Sequence, residues 1–180
     1  MVERQRINAG FYVLLFGVMV LTFILHEAGH WAAGWALGYE AYFSLNSAGV
    51  RDPSIPVAHM IAVRAGGVIV TVLQALLGLT LILTRSSLAA YAVLFSAAFM
   101  RFMAAVMTLM QPNDEAAITL ALGWGRWSGH VLVVGVLFAL TVWGARRLGI
   151  GWTANLLAWL VATLGVTAVV GLDMAMKGGL

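Results

Sequence analysis

The stretch His26-Glu27-Ala28-Gly29-His30 has the residue types and the spacing of a catalytic metal site. On a helix, positions i and i+4 share one face, so His26 and His30 can present ring nitrogens to one metal ion. Glu27 lies about 100° round the same turn, close enough to take a proton from a water at that metal. A plainer interpretation has the histidines bonded to neighbouring helices, with Glu27 as their partner. We favour a zinc hydrolase centre.

The surroundings of this motif are strongly apolar. The chain has 180 residues, of which 62% are hydrophobic and 9% are charged, and its mean hydropathy is +0.96. These values lie far outside the range of soluble proteins. Two histidines and a glutamate are costly to hold in hydrocarbon, and helix packing alone gives no reason for them. The sequence therefore predicts a multi-pass integral membrane protein with its functional site within the lipid bilayer.

Charge and cysteine content exclude other classes of function. The net charge of +3 is spread thinly along the chain, so no basic patch supports binding to nucleic acid. Positive loops of a membrane protein account for most of this charge. The chain has no cysteine, so any zinc ligands must be histidines and carboxylates.

Hydropathy predicts an all-α polytopic fold in one domain, with about five transmembrane helices. The predicted spans are residues 9–37, 61–84, 88–110, 129–145 and 152–172. The first would be about 43 Å long as a helix, more than the hydrocarbon thickness of about 30 Å, so it must tilt or project. Residues 39–45 suggest a short strand or hairpin, but on their composition alone residues 38–58 fit an exposed loop better.

A catalytic zinc usually has three protein ligands, so a third ligand must lie outside the motif. We favour Asp114 over Asp173, because Pro112 releases the preceding backbone from regular helix and can turn Asp114 inward. Lys177, four residues after Asp173, offers that carboxylate an ordinary ion pair. The remaining histidines, His59 and His130, lie at the edges of predicted spans. Most of the other carboxylates lie in the ends and loops of the chain, namely Glu3, Glu40 and Asp52.

Two arginines, Arg64 and Arg101, fall inside predicted spans. A guanidinium is too costly to leave unpaired in hydrocarbon. We expect one of the two to face the interior and meet a carboxylate or backbone carbonyls, and the other to extend to the membrane interface.

Residues 11–123 resemble the site-2 protease family, the intramembrane zinc metalloproteases of the M50 class. The first motif matches the family pattern H-E-x-G-H. The stretch Gly67-Val68-Ile69-Val70-Thr71 is similar to the family's G-P-x-x-N element, with Val68 in place of the proline and Thr71 in place of the asparagine.

The third element of the resemblance is Pro112-Asn113-Asp114, which stands where the family has P-x-L-D-G. The proline is one residue closer to the aspartate than in the family, and Glu115 replaces the glycine. The resemblance implies a membrane-associated β-hairpin within residues 38–58. It also implies a core over residues 9–123, to which residues 129–175 add C-terminal helices.

The resemblance further implies zinc bound by His26, His30 and Asp114, with Glu27 as general base. Asn113 or Glu115 would then lie nearby and support these ligands through hydrogen bonds. The implied activity is hydrolysis of a peptide bond within or next to a transmembrane segment of a membrane protein, in a prokaryotic cell membrane. No residue pattern indicates an oligomeric state.

Two other functions stay open. A catalytically inactive relative with a regulatory role is compatible with the altered second and third elements, although the intact Glu27 argues against it. A membrane metal-binding or transport protein would need polar residues along a whole pathway. Here they cluster at one depth, apart from Arg64 and Arg101.

Overall fold

The computed structural model describes residues 7–178, and over these residues the chain forms six α-helices and one two-stranded sheet. The helices are α1 (Ala9–Ala36), α2 (Val57–Arg85), α3 (Leu88–Met107), α4 (Asp114–Ala121), α5 (Ser128–Arg147) and α6 (Trp152–Gly178). The strands are β1 (Ala41–Ser44) and β2 (Ser47–Val50). This architecture confirms the predicted all-α polytopic fold with a β-hairpin after the first helix.

Five of these helices, all except α4, are long and apolar enough to cross a membrane. They indicate a multi-pass membrane protein. The predicted spans differ from them mainly at their ends: α2 begins at Val57 rather than at residue 61, α3 ends at Met107 rather than at residue 110, and α6 continues to Gly178. The most deeply buried of the five is α3.

The break between α3 and α4 follows from local sequence. After α3 the chain leaves the helix, and Pro112 lacks the backbone N–H that a continuing helix would need. The Asn113 side chain then accepts a hydrogen bond from the backbone N–H of Asp114 at 2.7 Å. Asn113 is therefore the N-cap of α4.

Glycines allow α1 and α2 to cross with their backbones in contact. A Cβ atom placed on Gly66 would lie 2.4 Å from the backbone oxygen of Gly29. A Cβ on Gly67 would lie 2.5 Å from the ring of His30 and 2.6 Å from the ring of His26. All three distances are too short for a side chain. Only glycine at these two positions allows the α2 backbone to lie against the two histidines.

The hairpin packs against the bundle, and the expectation of an exposed loop over residues 38–58 is wrong for this part of it. Its strands are antiparallel, with Ser44 paired with Ser47 across a two-residue turn. The backbone N–H of Leu45, in that turn, donates to Asp173 Oδ1 at 3.1 Å. The Asp173 carboxylate also accepts from Lys177 at 2.7 Å. Asp173 is buried, and it ties the hairpin to α6.

We expect Gly66→Ala to lower the free energy of unfolding by about 1–3 kcal/mol, because the new methyl group forces the two helix backbones apart. The measurement is equilibrium unfolding of the purified protein in mixed detergent micelles.

The matched control is Gly171→Ala in α6, where an added Cβ would have no neighbour within 4 Å. Alanine is the better helix former, so this variant should be as stable as the native protein or more stable. A Gly66→Ala protein of native stability would contradict the close crossing.

Candidate metal centre

The structure brings together the side chains of His26, His30 and Asp114, all buried. His26 and His30 lie one turn apart on α1, and Asp114 is the first residue of α4. The two Nε2 atoms are 3.1 Å apart, and Asp114 Oδ2 lies 3.3 Å from each of them. This placement agrees with the choice of Asp114 over Asp173, which lies at the hairpin instead.

The three separations fit the geometry of a metal site. In tetrahedral sites with His and carboxylate ligands, the bonds to the metal are about 2.0–2.2 Å long, which puts any two ligand atoms about 3.3–3.6 Å apart. The observed separations of 3.1 and 3.3 Å lie at or just below this range. The group could therefore hold a metal ion with little movement of its side chains.

Hydrogen bonds fix the tautomer of each histidine. The Nδ1 atom of His30 lies 2.8 Å from the backbone oxygen of Val63, which can only accept, so Nδ1 carries the proton. The hydroxyl of Thr71 donates to the backbone oxygen of Gly67 at 3.0 Å and therefore accepts from His26 Nδ1, also at 3.0 Å. Both Nε2 atoms are left with a lone pair for a metal ion.

The two oxygens of Asp114 have different partners. Oδ2 faces the histidines, whereas Oδ1 accepts from Arg64 Nη1 at 3.4 Å. Although burial by itself would raise the pKa of the Asp114 carboxyl, its contacts with His26 and His30 hold that pKa well below its usual value. The ionised form is the one that binds a metal.

The prediction for the two arginines is correct for Arg101 and only partly correct for Arg64. Arg101 is 1% exposed and donates to Glu115 Oε1 at 3.2 Å, so it faces the interior and meets a carboxylate. The Arg64 side chain is 38% exposed, but it contacts Asp114 rather than only reaching for the membrane interface. A carboxylate partner on α4 was not foreseeable from the sequence around Arg64.

A buried charged cluster lies beside the three side chains. It consists of Arg101, Glu115 and His130. Arg101 Nη2 lies 3.2 Å from His26 Nε2, and Glu115 Oε2 lies 3.7 Å from His130 Nδ1. His130 lies near the start of α5, as predicted, but it is buried, and its Nε2 bonds the Thr108 hydroxyl at 2.9 Å. Glu115 supplies the negative charge that the buried guanidinium of Arg101 needs.

Glu27 lines a cavity of about 600 Å³, together with His26, His30 and Asp114. It is not one of the three clustered donors, and Ala48 in β2 lines the same cavity. The cavity extends past the hairpin to the exposed Gln111. Glu27 is thus held beside the donors, on the side from which a substrate and water can come. Its position is compatible with a general base.

The other candidates have separate roles. His59 Nδ1 lies 2.8 Å from the Tyr39 hydroxyl, and Asp52 accepts from the backbone N–H of Ser54 in its own loop. Thr71 is a functional residue whose role the sequence did not reveal. The only signal was its place at the end of the G-P-x-x-N-like element, where it provides a hydroxyl in place of an amide.

We expect Thr71→Val to weaken Zn²⁺ binding by about 10-fold or more, because valine has the same shape but gives His26 Nδ1 no acceptor. The measurement is competition for Zn²⁺ with a chromophoric chelator.

Thr80→Val is the matched control, since Thr80 makes the same hydrogen bond to its own helix, to the backbone oxygen of Leu76, on the exposed side of α2. Equal Zn²⁺ affinity in the two variants would show that the hydroxyl of Thr71 does not orient His26.

No protein-family model, no curated protein and no solved structure matches the chain. The family expected from the sequence therefore stays a prediction.

Proposed function

We propose that the protein is an intramembrane zinc metalloprotease of the site-2 protease type, which hydrolyses a peptide bond within or next to a transmembrane segment of a membrane protein. The observation that carries the proposal is the triangle of two histidine Nε2 atoms and one carboxylate oxygen, with Glu27 on the adjoining cavity wall. These groups lie among helices that are apolar enough to cross a membrane.

Zinc is the metal that this donor set favours. Two neutral imidazoles and one carboxylate are a usual set of three protein ligands for catalytic zinc, with a fourth position left for water or substrate. Bound there, zinc would supply Lewis-acid polarisation of a carbonyl group and would lower the pKa of water to about 7. His26, His30 and Asp114 would hold it.

Glu27 has the position to move the protons of the reaction. It takes one proton from the water whose oxygen attacks the carbonyl carbon, and it delivers a proton to the nitrogen as the C–N bond breaks. The products are a carboxylate and an amine.

The free edge of β2 provides a place for an unwound substrate. Five consecutive residues, from Asn46 to Val50, line the cavity. Because side chains alternate along a strand, an unbroken run indicates that an edge, rather than a face, borders the cavity. Of the described strands, only β1 pairs with β2, so the other edge of β2 is free. An extended peptide can add to this edge by strand addition, next to the metal ligands.

Metal transport is less well supported. The buried charged groups surround one point, the junction of α1, α2, α3 and α4, and their contacts with one another are all within 4 Å. A transport path would need polar groups at several depths of the bundle. Along the described part of the chain, the core between α1, α3 and α6 on the other side of this point is dominated by apolar residues such as Leu15, Met19 and Leu94.

We expect Glu27→Gln to keep its zinc and to lose cleavage by at least about 100-fold, because the amide cannot act as a base. The protein is reconstituted with membrane proteins extracted from its host. New N-termini that arise within apolar segments are then counted by mass spectrometry, with zinc content measured in the same samples.

The control for specific loss is the Asp52→Asn protein, whose carboxylate lies in an exposed loop, does not line the cavity and should leave the same termini in place. Termini that form equally fast with Glu27→Gln would exclude the general-base role. A zinc-loaded native protein that produces no new termini would favour the inactive regulatory relative.

A further inference from the structure

Methionines line the cavity in unusual number. Met100, Met103 and Met107 on α3 and Met60 on α2 all border it, four of the nine methionines of the chain. The three on α3 follow the spacing i, i+3, i+7, which places them on one face of the helix. Their exposure rises from 4% at Met100 to 42% at Met107, so this face runs from the metal ligands to the outside. We name these three residues the methionine wall.

Met100 belongs to the buried core, but Met103 and Met107 differ from methionine used as core filler. Met19, for comparison, is fully buried in the core, and a Cβ atom on Gly165 would come within 3.0 Å of its side chain. Met103 and Met107 border open space in the cavity instead. Methionine side chains are unbranched and polarisable, and they adapt to apolar groups of different shape.

Resting on the proposed function, we infer that the methionine wall is a subsite for apolar side chains of the substrate. The substrates are then extended peptide segments with an apolar residue next to the scissile bond, and the subsite tolerates different apolar shapes. It disfavours charged side chains at that position, because a charge against the wall would lose water without gaining a partner.

The dimensions agree with an extended occupant. Seven residues of helix separate Met100 from Met107, so the wall is about 10 Å long. An extended peptide covers this length with about three residues, and alternate side chains of a strand point to the same side. A peptide added to the edge of β2 can therefore present two side chains, two positions apart, to the wall. A cavity of about 600 Å³ also falls within the usual volume of a ligand pocket.

The charged groups of the cavity lie elsewhere on its surface. Glu27 and Asp114 are at the metal ligands, and Arg64 projects from α2. Arg101, on α3 itself, is paired with Glu115. The residues of α3 that line the cavity beyond Arg101 are apolar, namely Met103, Ala104 and Met107. The wall is thus an apolar strip with polar groups on its borders, as an orienting pocket requires.

Two hydroxamates that differ only in their side chain, N-acetyl-leucine hydroxamate and N-acetyl-aspartate hydroxamate, test this inference against acetohydroxamate, which carries the zinc-binding group without an amino-acid side chain. Each carries the same zinc-binding group, and dissociation constants are measured by calorimetry on the zinc-loaded full-length protein in detergent. The His30→Ala protein in the same detergent gives the blank for partition into micelles. We expect the leucine probe to bind about 10-fold more tightly than acetohydroxamate, and the aspartate probe to bind no more tightly.

Met103→Gln and Met107→Gln should each reduce this preference to about 3-fold or less while the affinity for acetohydroxamate stays unchanged. Glutamine is similar in size, so the change is one of polarity. Met110→Gln is the matched control, since Met110 is 81% exposed and does not line the cavity. If Met103→Gln no longer binds acetohydroxamate, that substitution has disturbed the metal centre itself. The Met107→Gln protein, changed at a more exposed position, then provides the test of the wall.

Equal affinity of the native protein for all three probes would overturn the apolar subsite and leave the metal centre and the proposed function intact. A preference for leucine that survives both Met103→Gln and Met107→Gln would overturn its location on α3. A zinc-loaded protein that binds no hydroxamate at all would overturn both the subsite and the proposed function.

Discussion

Contact between the backbones of α1 and α2, at Gly29 and Gly66, brings the α2 carbonyl groups within reach of the histidine rings. Val63 then accepts from His30, and Thr71 accepts from His26. In hydrocarbon no water can replace such partners, so each polar ring must find them on a neighbouring helix. The glycine crossing therefore sets both the orientation and the tautomer of the histidines, and the rest of the centre is built on two fixed Nε2 atoms.

The centre also requires that the buried positive and negative side chains around it balance one another. Asp114 and Glu115 are adjacent in sequence and point to different partners: the first to the histidines and Arg64, the second to Arg101 and His130. The short helix α4 thus supplies both a metal-binding carboxylate and the counter-charge of a buried guanidinium. An unpaired charge at either position would cost several kcal/mol, so the two contacts together hold α4 against the bundle.

Sequence reasoning succeeded where the signal is local. Hydropathy predicted the five apolar helices, Pro112 and Asn113 marked the start of α4, and the cost of a buried guanidinium predicted the interior position of Arg101. These features depend on one residue or on a few neighbours. The helix ends were less accurate, because apolar and polar residues mix near the membrane interface and hydropathy changes there only gradually.

The features that were missed depend on partners far away in the chain. The packed hairpin is tied down by Asp173, which is 128 residues from Leu45. His130 is buried because α5 brings it to Glu115 and Thr108, and Arg64 meets Asp114 only because α2 and α4 pack together. No local pattern specifies which helices will meet. The resemblance to site-2 proteases anticipated the hairpin and Asp114, but not the roles of Thr71 or His130.

The central claim, that His26, His30 and Asp114 hold a zinc ion, is tested most directly by the zinc content of the purified protein. Elemental analysis after dialysis against a weak chelator should find about one zinc per chain in the native protein and in Asp173→Asn, whose carboxylate is also buried but lies at the hairpin. His30→Ala should retain essentially none, and Asp114→Asn should bind zinc at least about 10-fold more weakly. Native zinc content in both His30→Ala and Asp114→Asn would contradict the account.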